Sequence, residues 1–135
     1  MPEQIGQARS WMREAMASYF ADLTDRGFAV DRVVAVAGTA TSVVAIREAM
    51  EVYDSSRVHR ARVTAAELQA IERRLAAETL AERERTVGLD PKRAGVIVAG
   101  LVILEEVLAL AGAEAYTASE SDILHGMILE AAREE

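Results

Sequence analysis

Ala94 to Leu104 is an unbroken apolar run, and after Glu105 and Glu106 the pattern resumes from Val107 to Ala113. A membrane span needs about 20 apolar residues, so the uninterrupted part is too short. The two carboxylates would also cost roughly 2.5 to 3.5 kcal/mol each in a bilayer. The run therefore predicts a buried helix in a soluble protein. Asp90 is placed to cap it, Pro91 fits its first turn, and Gly112 stands at its expected end, which gives a helix over 91–111 at the centre of the fold. Gly95 and Gly100 have phosphate-loop spacing, but Leu101-Val102 follows where Lys and Ser or Thr would be required, so close packing is the better reading of these glycines.

Other segments must cover such a helix. Ile5, Ala8, Met12, Ala15, Met16, Tyr19 and Leu23 recur at helical steps and predict a helix over 3–23. Asp31 to Gly38 predicts a strand, because Val33 to Ala37 within it is short, β-branched and continuously apolar, as in an interior strand of a parallel sheet covered on both faces. Helical spacing restarts with Val43, Val44, Ile46 and Met50. Residues 53–56 read as a turn and 57–63 as a short extended piece. Thr64 to Glu67 has capping-box form ahead of Leu68, Ile71 and Leu75. Residues 79–86 predict a charged surface helix, Ala115 to Ala118 a second strand, and Ser119 or Ser121 a cap for a last helix bearing Ile123, Leu124, Met127 and Ile128. Strands separated by helices imply parallel pairing, and 135 residues suffice for one domain. Two strands leave edges open, which implies further chain upstream or self-association, and a homodimer is expected in either case.

The net charge of -7 excludes a general affinity for nucleic acid or anionic lipid. Cysteine is absent, and Met1-Pro2-Glu3 lacks the layout of a secretory leader, so a cytoplasmic setting is expected. His59 and His125 have no companion ligands at metal spacing, and no metal site is expected. Glu105 and Glu106 diverge by about 100° on a helix and cannot act as facing acid and base. No catalytic set emerges. Two candidate binding features remain. Gly38, Thr39, Ala40 and Thr41 form a strand-to-helix turn that either receives a phosphate on free amides or is an ordinary turn capped by Thr39 or Thr41. Arg57, Arg60 and Arg62 could meet a polyanion or merely line a solvated edge.

Several blocks together carry a resemblance: Val34 to Ser42, Tyr53-Asp54, Arg57-Val58-His59, Thr79 with Arg83, Gly88 to Ala94, Val96-Ile97 with Gly100, and Ser119 to Gly126. In order and spacing they resemble the C-terminal part of the second, actin-like domain of the exopolyphosphatase and guanosine pentaphosphate phosphohydrolase family (Ppx/GppA). The last block resembles its actinobacterial branch. Departures are Arg60 in place of the family's glycine, Gly95 in place of a frequent aspartate, and His125 before Gly126. The resemblance implies a helix-rich α/β fold, part of a ribonuclease-H-like domain with two or more short parallel strands. It also implies magnesium-dependent removal of phosphate from polyphosphate or guanosine pentaphosphate. The family's catalytic glutamate and both main phosphate loops lie upstream of the matched region and are not found in this sequence. The expectation is thus an inactive segment that needs the N-terminal part of its parent enzyme, with Gly38 to Thr41 at the interdomain cleft. The alternative is a stand-alone, non-catalytic module that self-associates or binds a ligand or protein.

Overall fold

The structure, a computed structural model, describes residues 2–133. Helix α1 runs from Pro2–Asp25. Ile5, Ala8, Met12, Met16, Phe20 and Leu23 form its half-buried side, while Ala15 and Tyr19 of the expected stripe face solvent. No α1 side chain is fully enclosed among the described residues, so α1 is an outer layer. No helix there is long and apolar enough to cross a membrane.

The sheet has three strands, β1 (Val33–Val36), β2 (Arg62–Thr64) and β3 (Ala115–Ser119), in the order β1-β3-β2. β1 and β3 pair in parallel, as expected, with Val33 beside Tyr116 and Val36 beside Ser119. β2 is antiparallel to β3, with Arg62 beside Thr117 and Thr64 beside Ala115. The extended piece foreseen over 57–63 is thus shorter, because Asp54 caps a helical turn, α3 (Ser55–Val58), through a 3.0 Å bond from the Ser56 amide. The expectation that β1 is interior and covered on both faces is overturned. Val34 and Val36 are 55% and 47% exposed, while Val33 and Ala35 turn toward the core. A continuous apolar run does not distinguish a strand covered twice from one covered once.

Helix α2 (Ala37–Arg47) lies against β1 and β3, and α4 (Ala65–Ala77) against β2. The Thr64 to Glu67 box is present: the Glu67 amide donates to Thr64 Oγ1 at 3.2 Å and Glu67 Oε2 accepts from the Thr64 amide at 2.8 Å. A second box, Thr79 with Glu82, starts α5 (Leu80–Arg83). That segment is not wholly superficial, because Arg83 is buried and donates to the Ala94 carbonyl at 3.0 Å. The apolar helix begins later than expected. Pro91–Arg93 is a 3-10 turn capped by Asp90, Gly95 follows in a turn, and α6 spans Ile97–Leu110. α6 packs on α1, α4 and α2. A side chain at Gly100 would press on Thr39, so this glycine does permit close helix packing, whereas Gly95 meets nothing. The last helix, α7 (Ile123–Ala131), is capped by Asp122, not by either serine.

Three carboxylates are buried where α1, α4 and α6 meet. Arg9 reaches Glu105 at 2.5 Å, Glu72 at 3.4 Å and Glu106 at 3.4 Å, and Arg13 reaches Glu106 at 2.8 Å. Burial raises the Glu105 carboxyl above its ordinary range, against the pull of Arg9. Removing one partner of a buried pair leaves uncompensated charge, typically at 3–5 kcal/mol. Arg9 keeps 31% of its side chain in solvent, so Arg9→Leu should cost about 2 kcal/mol. Arg13→Ala, with a side chain 61% exposed, should cost under about 1 kcal/mol. The Arg9→Leu deficit should narrow on acidification. A carboxyl with a raised folded pKa takes up its proton earlier in the folded state than in the unfolded chain, which favours folding as pH falls. Urea unfolding at neutral and mildly acidic pH checks both the ranking and the trend.

Candidate functional site at the end of the sheet

At the C-terminal end of β1 the chain enters α2 with no loop between them. Ala37 makes the turn with a left-handed φ of 67°, a conformation that costs a non-glycine residue roughly 1–2 kcal/mol. Val36 occupies the cap position and offers no side-chain acceptor, so the first amides of α2 lack a side-chain cap. A left-handed residue followed by helical ones aims successive amides into one concavity, a geometry suited to anions. The expected capping hydroxyls do not intervene. Thr41 Oγ1 donates back to the Ala37 and Gly38 carbonyls at 3.2 and 3.3 Å, and Thr39 packs beside Gly100.

The turn forms one wall of a cleft of about 470 Å³. Gly38, Thr41 and Ser42 come from α2, Tyr53 from the loop beyond it, and Gly88, Asp90 and Arg93 from the loop before α6. Gly88 brings that loop close: it is left-handed at φ 86°, and any side chain there would overlap the backbone of Ala45. Asp90 accepts from the Lys92 amide at 3.0 Å and so shapes the turn that presents Arg93. The Arg93 guanidinium lies where a Gly38 side chain would be. Arg83 holds the next carbonyl, that of Ala94.

Across the cleft Tyr53 donates its hydroxyl to Glu120, whose amide donates to His59 Nδ1 at 3.1 Å. Burial, then the bond to Glu120, raises the Tyr53 hydroxyl above its ordinary pKa, so it stays a donor at neutral pH. One guanidinium seated over Gly38, a phenol and amides without a side-chain cap can grip an anion. They do not constitute a nucleophile with its base.

Of the sequence candidates, Gly38 and Thr41 line this cleft. Thr39 faces α6, and Ala40 is buried with its carbonyl accepting from Tyr116 at 2.9 Å, so these two can contribute backbone only. Arg57 is paired with Glu48 at 3.1 Å. Arg62 is exposed on β2 and its carbonyl accepts from Arg47 at 2.7 Å. Arg60 is exposed beside the end of β3. None of these three arginines lines the cleft. Reading the sequence by local motif missed Arg93, Tyr53 and Glu120 as site residues. The available signal was the Asp90-Pro91 cap, which fixes a tight turn two residues before Arg93.

Residues 1–135 match the model of the Ppx/GppA phosphatase family. Over 124 residues the chain is 37% identical to the bifunctional 3-dehydroquinate synthase/phosphatase of Fusobacterium nucleatum, a match covering 92% of this chain and 18% of that protein. Over 100 residues it is 36% identical to exopolyphosphatase 2 of Mycobacterium tuberculosis, covering 71% and 31%. Among solved structures, the Aquifex aeolicus Ppx/GppA family member aligns with a TM-score of 0.89 at 19% identity, over 99% of this chain and 42% of that one. An exopolyphosphatase-like protein aligns at 0.86 with 25% identity, over 99% and 44%. The chain therefore spans less than a third of these curated relatives and less than half of these solved chains.

Two substitutions separate the strain in the turn from its occupancy by arginine. Ala37→Gly relieves a left-handed alanine and should stabilise the fold by about 1 kcal/mol, a rise of roughly 4 °C in melting temperature. Gly38→Ala should leave the circular dichroism spectrum intact while expelling Arg93, seen as a shift of the Arg93 Nε–Hε resonance. An unmoved resonance would show that Arg93 does not rest on Gly38.

Proposed function

The chain belongs to the Ppx/GppA phosphatase family, and on that premise we propose that it forms the anion-gripping wall of a hydrolase that removes terminal phosphate from inorganic polyphosphate or guanosine pentaphosphate. The observation that carries this reading is the Arg93 guanidinium seated on Gly38, beside the uncapped start of α2. In hydrolysis of a phosphoanhydride, water attacks the terminal phosphorus, the bridging P–O bond breaks, and the shortened chain leaves with the bridging oxygen. Positioning and neutralisation of the equatorial oxygens do most of the work. Arg93, the amides of Gly38 and its neighbours, and the Tyr53 hydroxyl suit that holding task.

The residues present do not fit the magnesium that the resemblance implies. Among the described residues no three carboxylates or histidines converge as a cation site, and Asp90 and Glu120 are already engaged by Lys92 and Tyr53. In this proposal the metal, the attacking water and its base are held by residues outside this sequence. The chain alone is then a binder without turnover. With magnesium and polyphosphate it should release no phosphate above background, yet calorimetry should detect tripolyphosphate. Arg93→Gln should weaken that binding about tenfold, the loss of one charge-assisted contact of about 1.4 kcal/mol. Robust turnover by the purified chain, or undiminished binding by Arg93→Gln, would refute the reading.

Self-association is the second reading, favoured by α7. Ile123, Leu124, Met127, Ile128 and Leu129 are all exposed, each by 61% or more, and an apolar patch of this kind ordinarily marks an interface. The unpaired outer edge of β1 adds to it. Light scattering should give a homodimer at high protein concentration that Ile128→Glu dissociates. A parent chain that stays monomeric counts against this reading.

A further inference from the structure

Arg60 adopts a left-handed conformation with φ 68°. Its amide donates to the Ala118 carbonyl at 2.8 Å, and the Ala118 amide donates to the Ala61 carbonyl at 2.8 Å. Arg60 and Ala61, the two residues leading into β2, thus oppose a single residue of β3, with the first of them left-handed. This is the β-bulge whose first position glycine ordinarily fills, because a side chain there is disfavoured. An arginine held at such a position is a strained residue whose side chain needs a reason.

The place supplies one. β1 and β3 end side by side at Val36 and Ser119, and the bulge sits beside that same end of β3. His59, the residue before Arg60, accepts from the amide of Glu120, and Glu120 accepts from Tyr53 in the cleft wall. Two strand spacings put Arg60 about 10 Å from the β1-to-α2 turn. Its side chain is exposed, and among the described residues no carboxylate pairs with it, although Arg57 and Arg47 nearby are both paired. Glu51 and Asp90 line the cleft together with Arg93, and Glu120 is held by Tyr53, so a long polyanion leaving the cleft along the sheet end needs a further cation outside it.

We propose that the bulge aims Arg60 at the distal part of a linear polyphosphate whose terminal units occupy the cleft, making Arg60 a determinant of chain-length preference. The inference rests on the anion-binding reading of the cleft and adds to it a second contact point. Calorimetry on the full chain, with inorganic tripolyphosphate and with a long linear polyphosphate, tests it. Arg60→Gly should melt no earlier than the parent, because glycine suits the bulge, and should bind tripolyphosphate equally well. It should bind the long chain about fivefold more weakly, as for one exposed ion contact. Its salt slope for the long chain should be shallower by about 0.7, and Arg60→Lys should bind nearly as the parent does. Unchanged long-chain affinity in Arg60→Gly overturns the inference, as does an equal loss for both anions. If Arg93→Gln loses tripolyphosphate while Arg60→Gly keeps the long chain, only the Arg60 inference falls. A parent chain that binds neither anion ends both readings.

Discussion

Strand β3 is the constraint on which the rest of the structure depends. It is the only strand paired on both sides in the described sheet, and its residues Tyr116 and Ala118 are fully buried, with α2 packed against the strand. Tyr116 also ties the layers together, because its hydroxyl donates to the Ala40 carbonyl inside α2. Burial pushes that hydroxyl's pKa far upward, which keeps it a neutral donor. By pairing with β1 in parallel and β2 in antiparallel fashion, β3 carries the α2 turn, Glu120 and the Arg60 bulge to one end of the sheet. The cleft stands there because three separate segments end there.

The opposite layer solves a different problem. α6 is the most apolar helix, yet it buries Glu105 and Glu106 in its second half. Burying those charges is tolerable only because Arg9 arrives from α1 between them, with Glu72 of α4 sharing it. Such a cluster adds little net stability over an apolar contact of equal volume. Its effect is selective: α1 has no fully buried apolar side chain of its own among the described residues, and the arginine position sets its register on α6. Two carboxylates that diverge along their own helix still converge on a third residue from another.

At the cleft, local strain and close approach occur together. Ala37 is left-handed, Gly88 and Gly38 tolerate no side chain as the structure stands, and Arg93 occupies the space that Gly38 leaves. Strained backbone persists only where its surroundings over-determine it. Here the surroundings are the buried side of α2, with Val43, Val44 and Ala45 almost wholly enclosed, and the 88–93 loop pressed onto it through Gly88. On the proposed anion-binding reading, this seat, with its guanidinium and amides lacking a side-chain cap, is what would hold charge.

The sequence by itself determined the helices other than α3, the parallel β1 and β3 pair, the Thr64 box, the Asp90 cap and the family. These follow from period, capping chemistry and motif order, all of which act within a few residues. Only the tertiary structure decided that β1 is open on one face, that α6 begins at Ile97 instead of Pro91, and that β2 pairs antiparallel through a bulge. It alone brought Tyr53, Arg93 and Glu120 to Gly38, residues separated by up to 82 positions along the chain. Which side of a strand is covered, and which loops meet, depends on packing between segments distant in sequence. Local pattern carries no record of that distance, which is why the turn was legible and its partners were not.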